Sequence, residues 1–358
     1  MLEARFGRPS AGALESSPAL VFYEITQACD LVCRHCRACA QADPHPGELT
    51  PRQARQLVDQ LCEFPRPPRL IVTGGDPLKR EDLLGLVEYA TARGIRVSLT
   101  PSATPLVTEQ AVARLAAVGL ERLAISIDGP DAASHDWFRG VEGSFQHSLA
   151  ILDWARRHGI STQINTTAGP WNYRKIPQMA ELCERCRIDM WSVFFLVPVG
   201  RAEGLVRLTP EQYEEVFATL WHEAGRRPFA IKTTEAPHYR RYVAQQRKSM
   251  PAAGGFYQPW GLNDGKGVMF VSHTGWIYPS GFLPVACGLF PLSHLVQVYQ
   301  QSPIFRMLRD ASRLEGKCGQ CEFRVMCGGS RARAYAVTGR LMAEEPDCAY
   351  VPRARPTS

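Results

Sequence analysis

The chain has 358 residues, 45% of them hydrophobic and 21% charged, with a formal charge of +6. That length exceeds a minimal module and fits a large α/β domain with a smaller appendage. The charge is too modest for a nucleic-acid binder, and no run of about 18 apolar residues is present to span a bilayer.

Met1 to Pro18 is short, mixed in charge and without an apolar segment, so it does not read as a signal peptide. Twelve cysteines in a chain with no export signal favour metal over disulfides and a reducing, cytoplasmic setting. The first expected strand is Leu20–Ile25. Directly after it come Cys29, Cys33 and Cys36 in a C-x3-C-x2-C run. Three thiolates can hold a cubane [4Fe-4S] cluster and leave its fourth iron without a protein ligand, and a vacant metal position is where chemistry happens. Cys39 could supply a fourth thiolate. However, its spacing departs from the ferredoxin run, and Ala40 stands where that run has proline, so Cys39 reads as a bystander.

Farther along, short runs rich in β-branched and aromatic residues alternate with segments of helical spacing. The expected strands are Leu70–Thr73, Arg96–Thr100, Leu123–Ile127, Ser161–Thr166 and Trp191–Val197. The expected helices are Pro51–Phe64, Glu81–Arg93, Glu109–Val118, Phe145–His158 and Tyr173–Cys186. Thr50-Pro51 and Thr108-Glu109 read as helix N-caps. Gly94, Gly119 and Gly159 fall where a left-handed residue stops a helix. Cys62 lies in an apolar stretch and reads as a small buried hydrophobe. Cys183 and Cys186 share one helix face and read as packing residues.

Six strands alternating with helices imply parallel strands in a barrel or an open sheet. Such folds place chemistry at the C-terminal ends of strands, where the cysteine triplet lies. Gly74-Gly75 ends the second strand, where a glycine pair admits close backbone approach to a ligand or simply makes a βα turn. Thr209–Gly225 reads as a further helix and Arg226–Pro259 as an irregular connection. From Trp260 onward the pattern changes to short strands, turns at Asn263-Asp-Gly265 and His273-Thr-Gly275, and cysteines. The expected division is therefore an extension over 1–18, an α/β unit over 19–235 and a cysteine-bearing unit over 236–358. Cys318, Cys321 and Cys327 with Cys348 make a closed four-thiolate set that accepts either an iron–sulfur cluster or tetrahedral zinc. Cys287 is a spare that could replace Cys348. Arg331 and Arg333 beside this set either pair with substrate carboxylates or form a solvated helix face.

These residues resemble the radical S-adenosylmethionine (radical SAM) superfamily. The triplet has its C-x3-C-x2-C form, and Thr73-Gly-Gly-Asp-Pro77 resembles its GGE-P motif, with Asp76 in the usual glutamate position. The likeness covers nearly the whole chain, because the C-terminal cysteines resemble the SPASM/twitch extension. Within the superfamily, Trp191–Arg201 and Cys327–Tyr335 are most similar to the heme-related branch: the anaerobic heme synthases that decarboxylate iron-coproporphyrin, and the heme d1 maturases.

The resemblance implies a partial (β/α)6 barrel with a small C-terminal iron–sulfur domain. It implies a [4Fe-4S] cluster on Cys29, Cys33 and Cys36, and SAM chelated to the open iron and cleaved to a 5′-deoxyadenosyl radical. Gly74, Gly75 and Asp76 would line the SAM amino group. Ser126 and Asp128 would reach its ribose or, alternatively, serve as a helix cap or turn. His35 would pack near the adenine, beside the wall Val197-Pro-Val-Gly200. Ser280 and Arg331 stand where the family carries cysteines for a first auxiliary cluster, so one auxiliary [4Fe-4S] cluster on the four-thiolate set is expected. A flavodoxin- or ferredoxin-type electron donor follows. The expected substrate is a carboxylate-bearing tetrapyrrole, modified by hydrogen abstraction or oxidative decarboxylation. One alternative is a ribosomally made peptide, although the 28 residues before Cys29 are few for a fused leader-binding domain. Another is a non-catalytic iron–sulfur or zinc scaffold. His135, His238, His273 and His294 are conceivable iron ligands that read more simply as ordinary histidines.

Overall fold

The computed structural model describes residues 12–249 and 261–353. A short helix, α1 (Ala13–Ser16), precedes β1 (Leu20–Glu24), and α2 (Pro51–Cys62) leads to β2 (Arg69–Thr73). Then follow α3 (Leu83–Ala92), β3 (Val97–Leu99), α4 (Glu109–Ala117) and β4 (Arg122–Ser126). Two helices, α5 (Ala132–Arg139) and α6 (Ser144–Arg157), precede β5 (Ser161–Ala168). Next come α7 (Ile176–Arg185), β6 (Met190–Phe195), α8 (Pro210–Ala224), β7 (Ala230–Thr234) and α9 (His238–Ser249). The C-terminal part holds β8 (Val268–Val271), β9 (Trp276–Tyr278) and β10 (Gly288–Leu289). It ends with α10 (Leu295–Gln301), α11 (Pro303–Arg309), α12 (Gly316–Gln320) and α13 (Arg331–Thr338).

Local chemistry sets the helix ends. The Thr50 side chain accepts from the Gln53 N–H in a reciprocal capping box that starts α2, and Thr108 caps α4 through the Ala111 N–H. Gly94, Gly119 and Gly159 adopt φ of 77°, 87° and 73° just past their helices, conformations that a Cβ would penalise.

The ten strands of the described residues form one sheet in the order β10-β9-β8-β1-β2-β3-β4-β5-β6-β7. From β8 through β7 every neighbour is parallel; β9 and β10 add antiparallel at the β8 edge. The expected partial barrel is present, and two more parallel strands flank its six. β7 and α9 lie inside Arg226–Pro259, the stretch that reads from sequence as irregular; its residues 250–259 fall outside the described ones. Polar Lys232, Thr233 and Thr234, which line the cavity, conceal β7 from a hydrophobicity pattern. α5 also escapes the periodicity, and the start of the expected Tyr173–Cys186 helix is a separate 3₁₀ turn, with Pro177 in the first turn of α7.

Alternation along the strands separates core from cavity. Val21, Tyr23, Leu70, Val72, Leu123, Ile125, Trp191, Val193 and Ile231 are fully buried under the helices. Their neighbours Phe22, Ile71, Ala124, Ser126, Asn165 and Lys232 face the concave side. Each large apolar side chain on the helix-covered face contributes about 1.5–3 kcal/mol, so Val72→Asp would break this layer by burying an unpaired charge. A separate cluster of Val197, Leu283, Leu308, Leu314, Ala332 and Met342 supports the C-terminal segment. Among the described residues no helix is long and apolar enough to cross a membrane.

Candidate functional site

The concave side of the sheet encloses a cavity of about 730 Å³. At the C-terminal ends of the strands its wall includes Cys29, Cys33, Cys36, Gly74, Gly75 and Ser126. Cys29 and Cys33 are buried, Cys36 is half-buried, and all twelve cysteines are free thiols. The loop after β1 is pinned by the Cys29 N–H donating to Gln41 O at 2.6 Å. Donors surround the sulfurs. Leu31 N–H lies 3.3 Å from Cys29 Sγ, Ala40 N–H 3.4 Å from Cys36 Sγ, and Arg139 Nη1 3.6 Å from Cys33 Sγ. Ser102 Oγ sits 3.2 Å from Cys29 Sγ and donates to Gly75 O at 2.8 Å. Burial pushes the free Cys29 thiol above its ordinary pKa, against the Ser102 bond. The N–H and guanidinium donors stabilise thiolates, the form that ligates metal. Among the described residues no three His, Cys, Asp or Glu side chains converge on a single-ion position. The fit to a cluster therefore rests on the donor set, three thiols on one wall with N–H groups and a guanidinium aimed at sulfur. Cys39 is exposed, with φ of 47°, and does not line the cavity.

Gly74 and Gly75 are glycines for a steric reason. A Cβ on Gly74 would lie 2.6 Å from Thr26 O, and one on Gly75 would lie 2.2 Å from Ala28 O. The end of β2 thus runs against the chain entering the cysteine loop, with Gly75 N–H donating to Thr26 O at 2.8 Å. Asp76 faces away from the cavity. Its wholly buried carboxylate accepts from Leu78 N–H at 3.2 Å and Thr104 Oγ1 at 2.5 Å, and burial raises its pKa.

Ser126 lines the cavity, whereas Asp128 lies behind the wall. Asp128 pairs with Arg139 at 2.5 Å and accepts from Thr167 N–H at 2.6 Å. Burial is the largest single influence and opposes its ionisation, but Arg139, the neighbouring histidines and the Thr167 N–H together hold the carboxyl below the usual range. Asp128 thereby orients the guanidinium that reaches Cys33. His35 lines the cavity and stacks on Phe138 at 4.5 Å, which stacks on Trp171 at 4.7 Å. Burial lowers its pKa to about 4, so the imidazole is neutral. Val197 and Val199 complete this wall. Sequence reasoning missed Ser102 and Arg139. Arg139 ends α5, and Ser102 sits in an unpatterned loop; neither carries a motif.

The C-terminal cysteines form a second neighbourhood. Cys318 lies on α12, Cys321 caps it, and Glu345 N–H donates to Cys318 Sγ at 3.3 Å. Phe323 and Gly329 N–H groups lie 3.4 and 3.5 Å from Cys321 and Cys327 Sγ. Cys348 lies close enough to Cys321 and Cys327 to raise their thiol pKa values. Burial is the larger cause in both and takes Cys327 to about 12. None of the four lines the cavity. Cys287 is elsewhere, packed against the barrel core with its thiol on Val285 O at 3.4 Å.

Both alternatives for Arg331 and Arg333 are corrected. Each is buried: Arg331 donates to Leu341 O and Ala343 O, and Arg333 pairs with Glu345 and Asp347. They brace the segment carrying Cys348, buried from solvent and away from the cavity wall. Ser280 is buried on the cavity wall. Of the four histidines, His135 lines the cavity but accepts from Asp128 N–H. His273 contacts Glu24, His294 contacts Glu63, and His238 is buried among aromatic rings.

Comparison with known proteins agrees with this layout. The model of the Radical SAM superfamily matches residues 23–183. The chain is 39% identical to the AdoMet-dependent heme synthase of Oleidesulfovibrio alaskensis, over 96% of this chain and 91% of that one. It is 31% identical to the pre-heme d1 synthase of Dinoroseobacter shibae, over 92% of this chain and 85% of that one. Its fold is similar to that of Streptococcus suis SuiB bound to S-adenosylmethionine. There the TM-score is 0.73 at 16% identity, covering 94% of this chain and 78% of SuiB.

Proposed function

The chain belongs to the radical SAM superfamily, and from that premise we propose that it modifies a carboxylate-bearing tetrapyrrole, by oxidative decarboxylation of a propionate side chain. Membership makes it an enzyme and sets aside the scaffold alternative; a [4Fe-4S] cluster and SAM are the family's cofactors. The observation that carries the substrate reading is the near full-length likeness to the AdoMet-dependent heme synthase. When bound, the cluster supplies the electron that cleaves SAM to methionine and a 5′-deoxyadenosyl radical, which removes hydrogen from substrate.

We assign the cluster to Cys29, Cys33 and Cys36. Arg139, held by Asp128, offsets thiolate charge at Cys33, and Ser102 ties Cys29 to the Gly75 carbonyl. Gly74, Gly75 and Ser126 present backbone and hydroxyl groups to SAM, while Asp76 and Asp128 fix the wall from behind. His35, neutral and stacked, offers a flat face for the adenine. Cys318, Cys321, Cys327 and Cys348 would hold one auxiliary [4Fe-4S] cluster with a full ligand set, suited to electron transfer. We take residues 236–358 as the unit carrying it. A flavodoxin- or ferredoxin-type donor and a cytoplasmic setting complete the reading.

Anaerobic turnover with SAM, a reductant and a panel of coproporphyrins, read by mass spectrometry, tests it. Loss of CO2 from iron-coproporphyrin III is expected. Formation of 5′-deoxyadenosine with every porphyrin unchanged would overturn the substrate reading.

A further inference from the structure

The cavity continues from the thiols to the opposite, N-terminal ends of the strands, and the two ends differ in charge. Arg69 begins β2, Arg96 immediately precedes β3, Arg122 begins β4, and Lys232 points inward from β7; all four line the cavity. Among them Glu121 accepts from Arg69 at 2.6 and 3.2 Å and from Arg96 at 2.7 Å. Arg122 donates to Ser161 Oγ at 3.2 Å and contacts Met190 Sδ. Ser161 Oγ in turn donates to Asp189 at 3.0 Å. Lys232 makes no hydrogen bond or ion pair within the described residues. Burial, with Arg122 and Arg69 nearby, pushes its pKa down to about 8. Between the two ends the wall turns apolar at Phe22, Ile71, Phe194 and Phe270.

An inward-facing ammonium without a counter-ion, set among guanidinium groups, costs folding free energy that hydrophobic residues would not. Cation–carboxylate bonds in an enclosed site are roughly twice as strong as neutral ones. We infer that the basic floor formed by Lys232 and Arg122, with Arg69 and Arg96, is an anion site that anchors carboxylates of the substrate. A substrate acidic at two ends and apolar between them would rest one end on this floor and present the other at the thiol end. The anchored carboxylates are then the ones that survive the reaction. This inference rests on the tetrapyrrole reading and specifies how such a molecule is oriented.

The test is anaerobic absorbance titration of the reconstituted protein with iron-coproporphyrin III and with its tetra-amide, in which all four propionates are neutral. Wild type is expected to bind the acid at least about tenfold tighter than the amide, given 1.5–3 kcal/mol for hydrogen bonds to charged groups. Lys232→Met and Arg122→Met should each remove most of that preference by weakening the acid alone. Unchanged amide binding then shows that the variants are folded. If wild type prefers the acid and both variants keep the preference, the floor is not the anchor and the substrate reading survives. If wild type binds neither porphyrin, the tetrapyrrole reading fails and takes this inference with it.

Discussion

The two cysteine sets differ in what their sulfurs face. Around Cys29, Cys33 and Cys36 the thiols open onto a cavity, with a guanidinium on one sulfur and a serine on another. Around Cys318, Cys321, Cys327 and Cys348 the sulfurs are closed off from that cavity. Backbone N–H groups and a buried Arg333–Glu345–Asp347 network brace their surroundings. Similar residues and similar N–H···S bonds thus serve two designs. On the reading proposed above, the first would leave a ligand position for a small molecule, and the second would have every position filled by protein. Exposure of the sulfurs to the cavity, more than cysteine spacing, is what distinguishes the two sets in the structure.

The strongest way to break this comparison is to damage the closed set alone. Cys321→Ser should lower the iron of reconstituted protein from about eight to about four per chain, as expected for one cubane lost of two. Porphyrin product should fall to background while 5′-deoxyadenosine still forms. Iron analysis and product assays on one preparation check both, and zinc in place of the lost iron would refute an iron–sulfur centre there.

A smaller effect sharpens the open side. Arg139→Met leaves the buried Asp128 carboxylate without its cation, a loss of about 3–5 kcal/mol. Adding Asp128→Asn should recover part of the lost thermal stability. Both the single and the double variant should shift the reduction potential of the open-side cluster, which a purely structural role for Arg139 would leave in place.

Much of this arrangement was legible in the sequence, and the gaps have physical causes. Triplet spacing, glycines past helices, and Thr50 and Thr108 caps are local signals, so strands one to six and most of their helices could be placed within a residue or two, while α5 was missed and α7 starts later than expected. β7 was hidden because its cavity-lining Lys232, Thr233 and Thr234 break the apolar alternation that betrays a half-buried strand. The same ambiguity misplaced Arg331 and Arg333, whose charge reads as solvent-facing although carbonyls and carboxylates surround them. Asp76 and Asp128 sit in motif positions, but which way a carboxylate turns depends on Thr104, Thr167 and Arg139, residues distant in sequence or without pattern of their own. Cation clusters such as the barrel floor arise from strand starts that only the sheet brings together.

The central claim is that the cavity-facing triplet, and not the closed set, is where SAM is cleaved. The most direct measurement is 5′-deoxyadenosine formed from SAM and dithionite by wild type, Cys33→Ala and Cys321→Ser, side by side. The account predicts cleavage by wild type and Cys321→Ser and none by Cys33→Ala. Cleavage by Cys33→Ala at the wild-type rate would contradict it.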